Sequence, residues 1–378
     1  MKILFACGGT GGHINPAIAI ASTLKAKQPD AQILFAGNPK GMEAKLVPQA
    51  GFDFAPITIK GFQRKLTWFN IKYNISSLFY LTTASARSKK LIEGFGPDLV
   101  VGTGGYVSGP RKAAQMGIRT ASHESNAFPG VTTKLLSRYV DEILLAVPEA
   151  KKYLDPNCKE LVVGNPVRES IVYADREQAR KKLGVGDKMC IVSFGGSQGA
   201  HRLNQAMADL IAWHTKEGGP CTGKIHHIHA TGKYGVEDFP QMLAERGAVF
   251  QENPNVDIRE YINDMDDCLA AADLVICRAG ASTLSELEAA GRASILIPSP
   301  NVAENHQYHN GMVLVKNQAA VLIEEKDLSG QRLCSEVEQL ANDPQRLRQL
   351  GQNAQKLAMI DANERIYEEL MRLLRQPK

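Results

Sequence analysis

Four short glycine-bearing clusters carry the chemistry that this chain can be expected to do. They are Gly-Gly-Thr-Gly-Gly at 8–12, Gly-Thr-Gly-Gly at 102–105, Gly-Gly-Ser-Gln-Gly at 195–199 and Ala-Gly-Ala-Ser at 279–282. Each follows a short apolar run and precedes a helical pattern. Such a turn sets several backbone N–H groups at the positive end of a helix dipole, an arrangement that binds anions and most often phosphate. Glycine is needed where backbone must approach a ligand closely. Two common phosphate ligands do not fit the spacing. The dinucleotide fingerprint would need glycine in place of Ile14, or in place of Ser197 and Ala200, and an acid where the second strand ends in Ala36-Gly37-Asn38. No Gly-Lys-Ser/Thr follows any glycine run, so a P-loop is absent too.

Several side chains beside these turns have two readings. His13 directly follows Gly12; an imidazole at a loop mouth suits a general base near neutral pH, or it is a helix-entry histidine bonded to backbone. Thr283-x-x-Glu286 has the form of a capping box, the reading that the motif alone favours. Alternatively the Glu286 carboxylate, one turn past the 279–282 cluster, accepts both hydroxyls of a ribose. Arg168, after the Asn165-Pro166 turn, either clamps a phosphate or covers a surface. His226-His227-x-His229 does not suit zinc, because in a strand His227 and His229 face one way and His226 the other, with no Cys or acid at ligand spacing. These read as strand-end histidines, His306-x-x-His309 reads similarly, and no metal is expected.

The elements that must hold these residues follow a regular rhythm. Apolar strands are expected at 2–7, 32–36 and 98–101, and again at 161–163, 190–194, 273–277 and 294–297. Between them lie helical patterns. One is capped by Asn15, opens at Pro16 and buries Ala17, Ile18, Ala21 and Leu24. Another, after 199, places Leu203, Ala206, Met207, Leu210 and Ile211 on one face. A charged, strandless helical tail begins near Asp343. Strands alternating with helices imply parallel βαβ units, here two doubly wound α/β domains. The first would span 1–164 with a C-terminal helix from about 358 to 378, and the second 165–357, with Gly164-Asn165-Pro166 as the hinge.

Bulk properties agree. The 378 residues exceed the roughly 250–300 at which a single core stops growing. A composition 44% hydrophobic and 22% charged excludes a disordered or fibrous chain. No apolar run nears the ~20 residues of a spanning helix, and the N-terminal run is too short for a signal sequence, so neither bilayer crossing nor secretion is expected. Seven scattered cysteines without Cys-x-x-Cys read as reduced thiols. Charge is uneven: residues 1–160 hold 20 Lys/Arg and 11 Asp/Glu, net +9, leaving −5 for the rest against +4 for the chain. No acid falls between Asp53 and Glu93. Lys60, Arg64, Lys65, Lys72, Arg87, Lys89 and Lys90 do, interleaved with Trp68, Phe69, Tyr73, Phe79 and Tyr80. Such a stretch suits an anionic membrane surface, or is a solvated face; no recognition motif supports nucleic acid.

Beyond these readings, an ordered series of motifs spans the chain. It runs through Gly8-Gly9-Thr10-Gly11-Gly12-His13, Gly104-Gly105-Tyr106-Val107-Ser108-Gly109-Pro110, His123-Glu124-Ser125-Asn126 and Gly164-Asn165-Pro166-Val167-Arg168. It continues with Gly195-Gly196-Ser197-Gln198-Gly199-Ala200, Tyr261-Ile262-Asn263-Asp264-Met265, Cys277-Arg278-Ala279-Gly280-Ala281, Thr283-Leu284-Ser285-Glu286 and His306-Gln307-Tyr308. Over essentially its whole length the chain resembles the MurG family of bacterial peptidoglycan glycosyltransferases.

That resemblance implies a GT-B fold, two Rossmann-like parallel-sheet domains with an inter-domain cleft. It implies an inverting hexosyltransferase that moves N-acetylglucosamine (GlcNAc) from UDP-GlcNAc to the MurNAc 4-hydroxyl of undecaprenyl-diphosphate-MurNAc-pentapeptide (lipid I), giving lipid II. The work would be done peripherally at the cytoplasmic face of the inner membrane, with cell-wall synthesis proteins as further partners and no cofactor. By the same resemblance UDP-GlcNAc would be bound by Thr10, Gly11, Gly12, Asn126, Arg168, Ser197, Ile262, Ala281, Ser282, Thr283, Leu284, Ser285, Glu286 and Gln307. His13 would be the candidate base. Gly9, Gly104, Gly105 and Tyr106 would meet the acceptor diphosphate. Two alternatives share the nucleotide sugar: a UDP-GlcNAc 2-epimerase, and a non-catalytic subunit, which would have no need of His13.

Overall fold

Apolar runs of four to six residues closed by glycine are too short for a buried helix and become strands of a parallel sheet. A computed structural model describes residues 1–57, 84–106, 108–219, 221–248, 250–251 and 253–376. Lys60, Arg64, Lys65, Lys72 and the aromatic residues among them, on which the membrane expectation rests, lie outside the described residues. The chain divides into two compact units: Met1–Pro166 with Asp361–Lys378, and Val167–Ile360.

The first unit runs β1 (Lys2–Ala6), α1 (Gly11–Lys27), β2 (Gln32–Gly37), α2 (Glu43–Gln49), β3 (Asp53–Pro56), then a helix α3 over 84–95. It continues with β4 (Leu99–Gly102), α4 (Ser108–Gln115), β5 (Arg119–Glu124), α5 (Val131–Leu136), β6 (Glu142–Leu145) and β7 (Glu160–Val162). Among the described residues these strands form one seven-stranded parallel sheet, ordered β3-β2-β1-β4-β5-β6-β7. Phe5 and Phe35 stack in its core with ring centroids 5.0 Å apart.

The second unit runs α6 (Glu169–Val172), α7 (Arg176–Lys182), β8 (Met189–Phe194), α8 (His201–Thr215), β9 (Ile225–Ala230), α9 (Phe239–Glu245) and β10 (Val256–Arg259). Then come α10 (Met265–Ala271), β11 (Leu274–Cys277), α11 (Ala281–Ala290), β12 (Ala293–Leu296), α12 (His306–Lys316), β13 (Val321–Leu322), α13 (Gly330–Asn342) and α14 (Pro344–Leu357). Its six-stranded sheet is ordered β10-β9-β8-β11-β12-β13, among the described residues. The last helix, α15 (Ala362–Arg375), belongs to the first unit. Ile366, Leu370 and Leu373 on it are buried with Ile14, Ala17, Ile20 and Leu24 of α1. Each such leucine contributes about 2 kcal/mol by leaving water. Arg372 ties α15 to β6 as well, bonding Glu142 at 2.6 Å and Glu369 beside it.

Two local expectations need correction. Helix α1 starts at Gly11, five residues before Pro16, because the amides of His13 and Ile14 already bond the Thr10 carbonyl at 3.0 and 3.2 Å. Asn15 is therefore inside the helix and caps nothing, and Ile18 is only half-buried while Ile14 and Ile20 complete the stripe. The histidines of β9 are not at a strand end but within it, and buried. His227 Nε2 and His229 Nδ1 both meet Ser193 Oγ at 2.8 Å, and His214 Nε2 lies 3.3 Å from His227 Nδ1. Burial pushes His214 down to about 4 and His229 down to about 3. These are neutral core groups.

Candidate active site

Each sheet reverses its order once next to its first strand, and ligands of doubly wound folds bind outside the carboxyl ends of strands at that point. In the first unit the reversal lies between β1 and β4, with Ala6 paired to Gly102. In the second it lies between β8 and β11, with Phe194 paired to Cys277. The turns flanking these points are the four clusters at 8–12, 102–105, 195–199 and 279–282. Sequence spacing alone located all four.

In the second unit, the 195–199 turn is held by backbone and neutral groups. Ser197 and Gln198 carbonyls accept from the amides of Lys233 and Tyr234 at 3.1 and 3.2 Å. Gly199 has φ +82°, and a Cβ there would sit 2.3 Å from the Thr231 carbonyl oxygen, so only glycine fits. Asn204 ties Thr231 from the first turn and a half of α8, at 2.9 Å. Among the described residues no backbone acceptor takes the amides of Ser197, Gln198 or Ala200, which leaves them for an anion at the start of α8. No acid lies between 195 and 201.

Across the switch point, α11 starts at Ala281 with Gly280 at the cap position. Thr283 is thus a third helical residue, so the capping box expected at Thr283 and Glu286 does not form. Glu286 instead accepts from Arg168 Nε at 3.2 Å and Nη2 at 3.0 Å. Burial raises its carboxyl above the usual range and Arg168 opposes the shift. Both nitrogens go to Oε1, leaving Oε2 for hydroxyl donors. Ser282, Thr283 and Ser285 are half-buried, Leu284 is buried, and Ser285 Oγ donates to the Ala281 carbonyl at 3.2 Å. Ile262 is buried in the core layer below. Gln307 is the second residue of α12, and its Oε1 accepts from the Ser299 amide at 2.9 Å, so the free end of that side chain is a donor. Glu304 and Asn305 just before it both have positive φ, 51° and 53°.

In the first unit the turn after β1 is braced by a residue that sequence reasoning did not single out. Glu43, at the start of α2, is fully buried. Its carboxylate accepts from the amides of Asn38 at 2.9 Å and Gly9 at 3.3 Å, and from the Tyr106 hydroxyl at 2.6 Å. Gly8 must be glycine, since a Cβ there would lie 2.3 Å from both Glu43 and the Tyr106 ring. Burial, and next the charge of Glu43, push the Cys7 thiol up to about 12. Burial and then the bond to Glu43 raise the Tyr106 phenol as well. The available signal was Gly37-Asn38-Pro39-Lys40-Gly41-Met42-Glu43, an acid placed behind a glycine-bearing turn.

His13 lies in the first turn of α1, half-buried, with Nδ1 3.0 Å from the Gly8 carbonyl. A carbonyl only accepts, so Nδ1 carries the hydrogen and, in the neutral ring, Nε2 keeps its lone pair. Thr103 Oγ1 donates to the His13 carbonyl at 2.7 Å, and Gly104, with φ +106°, leaves room for the imidazole, 2.6 Å from where its Cβ would be. Asn126 follows β5 and bonds Glu124 through its amide and side chain, at 3.0 and 2.9 Å; Glu124 also holds Thr133 and Gly130.

Of the residues expected at the acceptor diphosphate, the Gly9 amide and the Tyr106 hydroxyl both donate to Glu43. Gly105 packs against the Gly8 carbonyl, with a Cβ position 2.2 Å from its oxygen, and Gly104 against His13. Of the four, Gly104 alone stands against the His13 imidazole; the others lie against Gly8 or bond Glu43. Among the described residues no three His, Cys, Asp or Glu side chains gather as a metal ion would require, and no helix is long and apolar enough to cross a membrane.

Comparison with known proteins defines the class. Residues 3–145 match the model for the glycosyltransferase family 28 N-terminal domain and residues 190–366 that for the family 28 C-terminal domain. Two parallel-sheet Rossmann-like units of this kind are a GT-B glycosyltransferase. The chain is 44% identical over 371 residues to the UDP-N-acetylglucosamine--N-acetylmuramyl-(pentapeptide) pyrophosphoryl-undecaprenol N-acetylglucosamine transferase of Acetivibrio thermocellus, covering 97% of each protein. It is 43% identical to the enzyme of the same name from Thermoanaerobacter pseudethanolicus, covering 97% of this chain and 98% of that one. Among solved structures, Acinetobacter baumannii MurG superposes with TM-score 0.77 at 26% identity, covering 98% of this chain and 99% of that one. The calicheamicin glycosyltransferase CalG4, at 16% identity and TM-score 0.69 over 99% and 98% of the chains, shares the fold. The chain belongs to the MurG family, the N-acetylglucosamine transferases of peptidoglycan synthesis.

Proposed function

We propose that this enzyme transfers GlcNAc from UDP-GlcNAc to the MurNAc 4-hydroxyl of lipid I, with inversion at the anomeric carbon, and that it does so docked on the cytoplasmic face of the membrane. The observation that carries the reading is the pair of glycine turns at the second unit's switch point, free of acids and faced by a carboxylate whose second oxygen is open. Amides of the 195–199 turn take the UDP diphosphate. Glu286 Oε2 accepts the ribose hydroxyls, Arg168 fixes Glu286 and adds positive charge, Ile262 flanks the uracil, and the Gln307 amide donates to the sugar. Thr10, Gly11, Gly12 and Asn126 of the first unit complete the contacts to the donor.

The reaction needs little else. As the acceptor oxygen bonds to C1 from the face opposite UDP, the bond from C1 to the diphosphate oxygen breaks and its electron pair leaves with UDP. Fixed amides stabilise that developing charge without reorganisation. The hydroxyl proton passes to His13 Nε2. The test supplies radiolabelled UDP-GlcNAc with a lipid I analogue and follows labelled lipid and UDP together. Stoichiometric appearance of both is expected. UDP release without labelled lipid, or conversion of UDP-GlcNAc to a ManNAc product without acceptor, would overturn the proposal. Pelleting with anionic vesicles, lost in the paired variant Lys65→Glu with Lys72→Glu, tests the membrane part; unchanged pelleting removes it.

A further inference from the structure

Resting on the reading of His13 as base, we infer that Glu43 is a positioning residue acting on that imidazole through the peptide bond between Gly8 and Gly9. Two hydrogen bonds meet on this one peptide from opposite ends. Its carbonyl, Gly8 O, accepts from His13 Nδ1 at 3.0 Å, and its N–H, on Gly9, donates to Glu43 Oε2 at 3.3 Å. Carboxylate, peptide and imidazole form a chain of donors and acceptors all pointing one way. Bonds so aligned polarise one another: the negative carboxylate pushes electron density away from the N–H and onto the carbonyl oxygen, which makes that oxygen a better acceptor. A stronger acceptor at Gly8 holds the hydrogen on Nδ1 and leaves Nε2 as the basic atom. A histidine oriented by a carboxylate is a familiar device; here a backbone amide stands between them.

The surroundings keep the chain in register. Glu43 has no exposure to water, and its other oxygen is held by the Asn38 amide and the Tyr106 hydroxyl at 2.9 and 2.6 Å. Gly9 has φ +91°, a left-handed backbone that turns its N–H toward α2. Space for a side chain is missing at Gly8, at Gly37, where a Cβ would be 2.6 Å from Glu43, and at Gly41, where it would be 2.3 Å away. Three glycines are thus required by one carboxylate. A buried charge this closely wrapped would be a costly way to stabilise a turn that apolar residues could pack more simply.

The test labels histidine with 15N and records the ring-nitrogen shifts above neutral pH, with the His13 signals assigned by their loss in His13→Gln. Wild type is expected to show His13 as the Nδ1–H tautomer. In Glu43→Gln the tautomers should mix, and kcat should fall about 10-fold while donor KM stays within two-fold. The double variant His13→Gln with Glu43→Gln should be no slower than His13→Gln alone. An unchanged Nδ1–H tautomer in folded Glu43→Gln, or losses that multiply in the double variant, overturns the inference. Should Glu43→Gln not fold, Glu43→Asp decides by the same readouts, since it keeps the charge but draws it back from the Gly9 amide. Failure of the underlying reading looks different: His13→Gln would turn over near the wild-type rate whatever the tautomer.

Discussion

The turn after β1 and the turn after β8 occupy the same place in two similar sheets, yet they are braced by opposite means. Behind the first lies a buried carboxylate that draws in two amides and a phenol. Behind the second lie carbonyls, a carboxamide and close glycine backbone, with no acid in the turn. A negative charge under a glycine turn spoils it for phosphate and suits it to steady an imidazole. An acid-free turn at a helix N-terminus does the reverse. On the proposed reading, the charge placed beneath each glycine run splits a duplicated architecture into a proton acceptor and a pyrophosphate cradle.

The contrast can be broken in four ways. His13→Gln should lower kcat by at least about 100-fold with UDP affinity, read by calorimetry, near wild type; weakened UDP binding instead would place His13 on the donor side. Ser197→Asp gives the second turn the charge of the first and should weaken UDP binding by roughly 10-fold or more, and equal affinity would mean that the diphosphate lies elsewhere. Glu286→Gln should raise donor KM about 10-fold, near 1.4 kcal/mol. Its melting temperature should barely move, because the Arg168 partner is half in solvent and such pairs contribute little.

The smallest effect concerns pH. Burial, then Glu369, raise Glu142 from 4.5 to about 7. Between those values the folded first unit keeps a proton that the unfolded chain releases, so stability is lost as pH rises through that window. His214 and His229 are depressed from 6.5 to about 4 and about 3. Below 6.5 the unfolded second unit takes protons that the folded one refuses, so its stability is lost as pH falls. Hydrogen exchange read unit by unit should show the ratio of protection, first to second, dropping several-fold from pH 5 to pH 8. Glu142→Gln should flatten the first unit's share of that change.

Much of this was legible in the order of residues. Strands β1, β2, β4, β8, β11 and β12 announce themselves because strands buried on both faces are continuous apolar runs, and their glycine turns follow at once. Strand β9 was obscured by three histidines, polar by type but buried as neutral rings around Ser193. Edge strands β3 and β10 are only half-buried and carry Asp53, Asp257 and Arg259, so no apolar run marks them. The start of α1 was misplaced because proline usually opens a helix, whereas glycines at 11 and 12 let the backbone coil earlier. Glu43 was missed for a deeper reason. Its function depends on contacts from β2, β4 and α1 segments up to 63 residues away, which no local pattern encodes, and the same holds for the bond between Arg168 and Glu286, 118 residues apart.

The return of α15 to the first unit has a bearing on how the chain is made. A ribosome delivers Val167–Ile360 complete before it reaches Asp361, so the second unit can reach its final shape during elongation. The half begun first must wait: Ile14, Ala17, Ile20 and Leu24 lack their cover until Ile366, Leu370 and Leu373 are synthesised. A polypeptide cut short before Ala362 would therefore carry a sound second unit joined to an unfinished first one, and quality control would find its target in the oldest part of the polypeptide.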